Sequence, residues 1–288
     1  MIHSMTGYAV ATRDLGSVVL SLELKSVNSR FLDIGFRLGE DLRALEMPLR
    51  EKITERIGRG KIECRGYLQA QPGGNRERTT HPALIAELGR LDAAVRAALP
   101  QASPLSVAEV LRWPGVLSED AVTAEHLHAA AMDLFAGLLG EFLGSRAREG
   151  EKLAAVLRER VALMRVQVAN VTPLLPVAVA AYRERMAAKL REAVANLDED
   201  RIRQEVGVFA AKIDVAEEIA RLVTHFDEVE RVLQKGGAVG KRLDFLMQEL
   251  NREANTLASK SVSTEVTAIA LELKLLIEQM REQVQNLE

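Results

Sequence analysis

All 8 prolines of this 288-residue chain lie at or before Pro176. Proline has no backbone N–H and its ring clashes with the carbonyl four residues back, so it interrupts helices. The final third of the chain is free of that breaker, and helix is expected to dominate it. Three long helices are predicted: one over residues 145–197 with a kink near Pro173 and Pro176, one over 201–235 ending at Gly236-Gly237, and one from about 240 to the C-terminus, weakening around 259–263. In the last, Val266, Ile269, Leu273, Leu276, Met280, Val284 and Leu287 recur at mixed spacings of 3 and 4, the pattern of coiled-coil-like packing.

The front of the chain reads differently. Residues 18–25 alternate, with Val18, Leu20, Leu22 and Leu24 on one face, and residues 31–38 alternate again. The polar segment 26–29 between them predicts an antiparallel pair joined by a turn. Leu42, Leu45, Leu49, Ile53 and Ile57 predict a helix over 41–57 stopped by Gly58 and Gly60, and 62–68 predicts a third strand. Residues 71–78 read as a polar, basic loop. The fold class is therefore α+β: an N-terminal α+β module with antiparallel strands over 1–71, a connecting region of short helices over 72–144, and a long-helical, coiled-coil-like region over 145–288.

Hydrophobic residues make up 48% of the chain and charged residues 27%, which excludes wholesale disorder. A single cysteine, Cys64, excludes an intrachain disulfide, and no Cys/His cluster has zinc spacing, so a reducing cytoplasm is the expected location. The N-terminus has no basic-then-apolar signal, and no stretch reaches the roughly 18 apolar residues of a membrane span. The net charge of −3 hides an asymmetry. Residues 1–80 hold 13 Lys and Arg against 10 Asp and Glu, and the remainder holds 25 against 31. The basic front includes Asn28, Arg30, Arg37, Arg59, Lys61 and Arg65 on or beside the expected strands, a candidate face for phosphates, although basic residues on a sheet are more often just its wet side.

The densest polar constellation lies in the last two long helices. Glu218, Arg221, His225 and Glu228 are spaced 3, 4 and 3 apart, one residue ahead of the apolar seam Ile219, Leu222, Phe226, Val229 and Leu233. They share one stripe beside the packing face. On the following helix Glu249 and Glu253 share a face, with Arg252, Asp244, Gln248, Asn251 and Asn255 nearby. If the helices pack antiparallel across residues 236–240, the acidic stripes converge. Carboxylates with an imidazole suit a hard divalent cation. The plainer reading is a set of solvated ion pairs, since Glu and Arg three apart on a helix usually are that. Gly236 to Arg242 does not make a phosphate loop, because Lys235 stands where the first glycine is needed and Arg242 where a Ser or Thr is needed. Nucleotide hydrolysis is disfavoured accordingly.

Several motifs match a known family. Ser4-Met5-Thr6-Gly7-Tyr8, Lys25-Ser26-Val27-Asn28-Ser29-Arg30-Phe31-Leu32-Asp33 and Arg59-Gly60-Lys61-Ile62-Glu63 resemble the N-terminal signature of the YicC family. Asp214 to Leu222, Thr224-His225-Phe226, Leu243 to Thr256 and Arg281 to Glu288 resemble its C-terminal region. The resemblance implies a cytoplasmic endoribonuclease that needs a divalent metal, assembles as a homohexamer and closes around RNA. The family's polar motif falls on Glu217, Glu218, Arg221, His225, Gln248, Glu249, Arg252 and Glu253. Together with the stripe, it sets the expected site: Glu218, His225, Glu249 and Glu253 around Mn²⁺ or Mg²⁺, Arg221 and Arg252 on phosphate, and Asn28, Arg30, Arg37 and Lys61 on the RNA backbone. The alternative is an RNA-binding or scaffolding homo-oligomer without catalytic activity.

Overall fold

The computed structural model describes residues 1–70, 78–119, 122–193 and 198–288. Residues 71–77 of the expected basic loop and 194–197 of the first expected long helix lie outside it. A four-stranded sheet forms from β1 (Gly7–Asp14), β2 (Val18–Val27), β3 (Leu32–Leu38) and β4 (Gly60–Ala70), in the order β1-β2-β4-β3. The expected hairpin between 18–25 and 31–38 is not there. β1 takes one edge of β2, and β4 takes the other, both antiparallel. β3 pairs with β4, in parallel, with Ile34 opposite Ile62 and Phe36 opposite Cys64. A parallel pair needs a crossover, which a 3₁₀ segment (Glu40–Leu45) and helix α1 (Glu46–Thr54) provide. β1 itself escaped the sequence reading, because its inward positions Ala9 and Ala11 are too small to mark the alternation.

The single helix expected over 41–57 is split for a steric reason. A continuous α-helix would set the ring of Pro48 against the carbonyl of Ala44; instead α1 starts at Glu46 and Pro48 falls in its first turn, where no N–H is needed. Buried in the core beneath the sheet, Cys64 is fully inaccessible, and burial pushes its thiol pKa up to about 12.

A two-stranded ribbon of β5 (Arg78–Thr80) and β6 (Leu117–Glu119) brackets α2 (Pro82–Ala98) and α3 (Val107–Arg112). Beyond it comes α4 (Ala124–Val171), 48 residues without a break. The long helix thus begins well before residue 145, because Thr123 caps it and no proline intervenes until Pro173. Its first half buries Leu127, Phe135, Leu138 and Phe142 against Leu20, Leu22, Leu24 and Ile62 of the sheet. Its second half buries Leu157, Val161, Met164 and Val168 in a separate helical core. By length and composition α4 is apolar enough to cross a membrane, yet its apolar side faces these two cores.

Pro173 separates α4 from α5 (Leu174–Ala193). The helix expected over 201–235 is two: α6 (Glu199–Lys212) and α7 (Ala216–Lys235), with Asp214 accepting from the Ala216 N–H at 3.0 Å in the break. α8 (Gly240–Lys260) and α9 (Thr264–Val284) follow, and the weak point near 259–263 is a full interruption. Leu222, Phe226, Val229, Leu243, Leu250, Leu273 and Met280 fill the core between α7, α8, α9 and the end of α4.

The two halves are tied where the chain ends meet α4. The N-terminal segment crosses α4 at Gly150, where a Cβ would lie 2.3 Å from the Ile2 carbonyl oxygen. It then pairs with the C-terminal tail through Met5 N–H to Asn286 O (2.8 Å) and Glu288 N–H to His3 O (2.9 Å). Arg146, only 1% exposed, donates from Nε to the Ser4 carbonyl (2.6 Å), lies over the Phe142 ring and forms an ion pair with Glu288.

Candidate functional site

Helices α7 and α8 run antiparallel across a short turn in which Gly236 and Gly237 have φ of +68° and +87°, conformations that side chains rarely adopt. The stripe on α7 therefore meets α8 as a ladder of charges. At the turn end Glu228 accepts from Arg231 (2.7 and 2.8 Å) and from Arg242 (3.1 Å). At the far end Glu218 accepts from Lys260 Nζ at 2.7 Å, and its other carboxylate oxygen is buried with no hydrogen-bond partner among the described residues. Both ends are balanced or nearly so.

The middle is not balanced. His225, Glu249 and Glu253 each bring one ligand atom to within 4.8 Å of the others. Glu253 is only 3% exposed, and its nearest cation, Arg221 Nη1, stands at 3.5 Å while also bonding Glu217. A buried carboxylate needs full compensation, since burial of net charge is costly. Two carboxylates and an imidazole facing one under-neutralised point are the donor set a hard or borderline divalent cation takes, with positions left open for water and phosphate oxygens. The residues present fit such an ion.

The structure brings three of the four expected ligands together and sets Glu218 apart. Glu218 shares a stripe of α7 with His225 through its spacing of seven residues. Its axial position, about two turns from His225 at ~1.5 Å per residue, puts it opposite Lys260 instead. Arg252 lies on the neighbouring shoulder of α8, in a concave patch of about 740 Å³ with Gln248, Asn251, Asn255 and Arg281 of α9. The amides that stood out in the sequence bond along the helix, Gln248 to Asp244 (2.9 Å) and Asn255 to Asn251 (2.5 Å).

The four front residues separate as well. Arg37 pairs with Glu63 (2.6 Å) and Lys61 with Asp33 (3.9 Å) on the outer face of the sheet. Arg65 also binds Glu63, and these guanidinium groups hold the Glu63 carboxyl below its usual range. Asn28 reaches Asn286 at 3.4 Å. Arg30, but none of the other three, lines a cleft of about 910 Å³ between the sheet module and the helical core, together with Arg59, Lys241 and Arg281. Lys241 falls in the Gly236–Arg242 segment and Arg281 in a stretch that resembles the family's C-terminal region, but no local pattern places either beside Arg30, more than two hundred residues earlier.

Arg231 and Arg242, both hydrogen-bonded to it, hold the Glu228 carboxyl down at about 2 from an ordinary 4.5. A carboxyl depressed on folding contributes stability that is complete above about pH 4.5 and lost as the pH falls to about 2. Thermal unfolding across that window is expected to fall less steeply with acid for Glu228→Gln than for the wild type, by a modest amount because both arginine partners are exposed to solvent. Parallel curves would remove Glu228 from the acid response.

Models of two family regions match the chain: "Endoribonuclease YicC-like, N-terminal region" over residues 2–155 and "Endoribonuclease YicC-like, C-terminal" over residues 171–288. The intervening residues fall in the second half of α4. A Haemophilus influenzae protein named "Probable endoribonuclease YicC" is 41% identical over the whole of both chains, and a Clostridioides difficile protein of the same name is 26% identical, again over the whole of both.

Proposed function

Because the chain belongs to the YicC-like endoribonuclease family, we propose that it is an endoribonuclease that hydrolyses phosphodiester bonds in RNA with a divalent cation, Mn²⁺ or Mg²⁺, held by His225, Glu249 and Glu253. The observation that carries the metal reading is the convergence of those three ligand atoms within 4.8 Å, where Glu249 has no ion pair among the described residues and buried Glu253 only a long one to Arg221. A cation there supplies Lewis-acid polarisation of a phosphoryl oxygen and a lowered pKa for water.

The chain's own residues do the rest. Glu249 and Glu253 are fixed by one rigid helix, so their separation does not depend on a loop. Arg221 anchors Glu253 and presents its guanidinium at the edge of the cluster, placed to bind a phosphate oxygen with charge-assisted hydrogen bonds. Arg252, exposed on the adjacent shoulder, offers a second such donor. Arg30 is placed to hold the RNA backbone in the basic cleft, and Asn28 would contact it from beside Asn286. Arg37 and Lys61 would exchange their carboxylate partners for phosphates on the outer sheet face. The proposal includes cytoplasmic action and a homohexamer. What favours an assembly is an exposed apolar edge on α9, where Leu271 and Leu275 lie one turn apart and are each more than half exposed.

The test is cleavage of labelled RNA by the purified protein with Mn²⁺, with Mg²⁺ and with EDTA, alongside Mn²⁺ titration by calorimetry without RNA. Cleavage that needs the ion, and ion binding in the micromolar range or tighter, are the expected results. RNA binding without cleavage under any ion would favour the scaffold reading. Cleavage undiminished by EDTA would overturn the metal.

A further inference from the structure

The cleft between the sheet module and the helical core joins four basic side chains from four separate parts of the chain: Arg30, Arg59, Lys241 and Arg281. At its wall stands Phe31, with 69% of the residue exposed. Burial of a phenylalanine is worth roughly 1.5–3 kcal/mol, so an exposed ring among cations is unexplained by folding. The Arg30 guanidinium lies 5.3 Å from the Phe31 ring centroid, which holds the ring in place and positions a donor beside it. Arg59 is itself fixed, its Nε bonding the Ser29 carbonyl at 2.9 Å. Two carboxylates also line the cleft: Glu288, engaged by Arg146 and the Gly58 N–H, and Asp244, which accepts from Gln248 at 2.9 Å and leaves the cations in the majority.

Resting on the RNA reading above, we infer that Phe31 is a base-stacking platform: an unpaired nucleobase stacks on its ring while the adjacent phosphates lie against Arg59, Lys241 and Arg281. Aromatic stacking takes any base, because every base has a π face, whereas the bases of an A-form duplex are closed to it. The cleft therefore favours single-stranded RNA over duplex, without strong sequence preference. Arg281 also lines the neighbouring patch with Gln248 and Arg252 of α8, so one guanidinium borders both hollows.

The experiment measures binding of a short fluorescent oligouridylate by anisotropy in EDTA, for the wild type, Phe31→Leu and Phe31→Trp. Phe31→Leu is expected to weaken binding about 5- to 150-fold, and Phe31→Trp to preserve or tighten it. Against the same oligomer carrying abasic riboses, the wild type should bind as weakly as Phe31→Leu, and the two should no longer differ. Unchanged thermal unfolding confirms that the exposed side chain is not structural. Equal affinity of the wild type and Phe31→Leu for oligouridylate overturns the stacking proposal alone. A wild type that binds neither single-stranded nor duplex RNA overturns the RNA reading beneath it, and tighter binding of duplex than of single strand overturns the preference inferred here.

Discussion

His225→Ala and Glu249→Gln are expected to keep the fold and lose metal-dependent RNA cleavage by on the order of 100-fold or more, with a matching loss of Mn²⁺ affinity. Both side chains are half-buried, and neither carries an ion pair among the described residues, so their removal should change stability by only about 1 kcal/mol. Groups that merely support metal ligands cost roughly 10- to 100-fold when lost, and a ligand should cost at least that. Glu253→Gln should be worse on both counts, since it also strips Arg221 of a partner inside the ladder. Glu218→Gln is the informative contrast. Its carboxylate is held by Lys260, away from the cluster, so the variant should lose stability and keep Mn²⁺ affinity. Mn²⁺ titrations of the four proteins decide the matter. Unchanged affinity in His225→Ala and Glu249→Gln would sink the site, and a loss in Glu218→Gln equal to theirs would restore a four-ligand set.

The second large effect lies far from that cluster. Arg146→Met should destabilise the protein by about 2–4 kcal/mol, because it leaves the buried Ser4 carbonyl without its donor and the partly exposed Glu288 carboxylate with only the Gly58 N–H. In a protein of this size, each kcal/mol lowers the melting temperature by roughly 2–4 °C, so the drop should be plain in a thermal scan. Glu288→Gln should cost less, since the amide oxygen of Gln can still accept from Arg146, which also keeps the Ser4 carbonyl. The double variant should fall short of the sum of the two, as contacting partners do. Strict additivity, or a melting temperature unmoved in Arg146→Met, would show that the junction between chain ends and α4 carries little of the stability.

Much of the site was legible because helix faces are written locally. Spacings of 3 and 4 fixed that His225 shares a stripe with Glu218, Arg221 and Glu228, and that Glu249 and Glu253 share another. The two glycines at 236–237 marked the reversal that brings the stripes together. Strand positions were legible for the same reason: 18–25, 31–38 and 62–68 alternate and are strands. Strand partners were not. Leu24 alternates identically whether its neighbour is β3 or β4, and the choice fell to β4 because β1 fills the other edge of β2 and α1 carries the chain over to a parallel pairing with β3.

What the sequence determined by itself is therefore angular and local: where helices run, where prolines break them, which residues share a face, and that two acidic stripes exist. The tertiary structure decided the axial match between elements. It set Glu218 opposite Lys260 and His225 opposite Glu249 and Glu253, and it joined Arg30 and Arg59 to Lys241 and Arg281 across one cleft. Periodicity repeats every turn and so carries no information about register. Register is selected only when whole apolar faces dock, and here that docking runs along α4, whose two halves hold the sheet and the helical core in place.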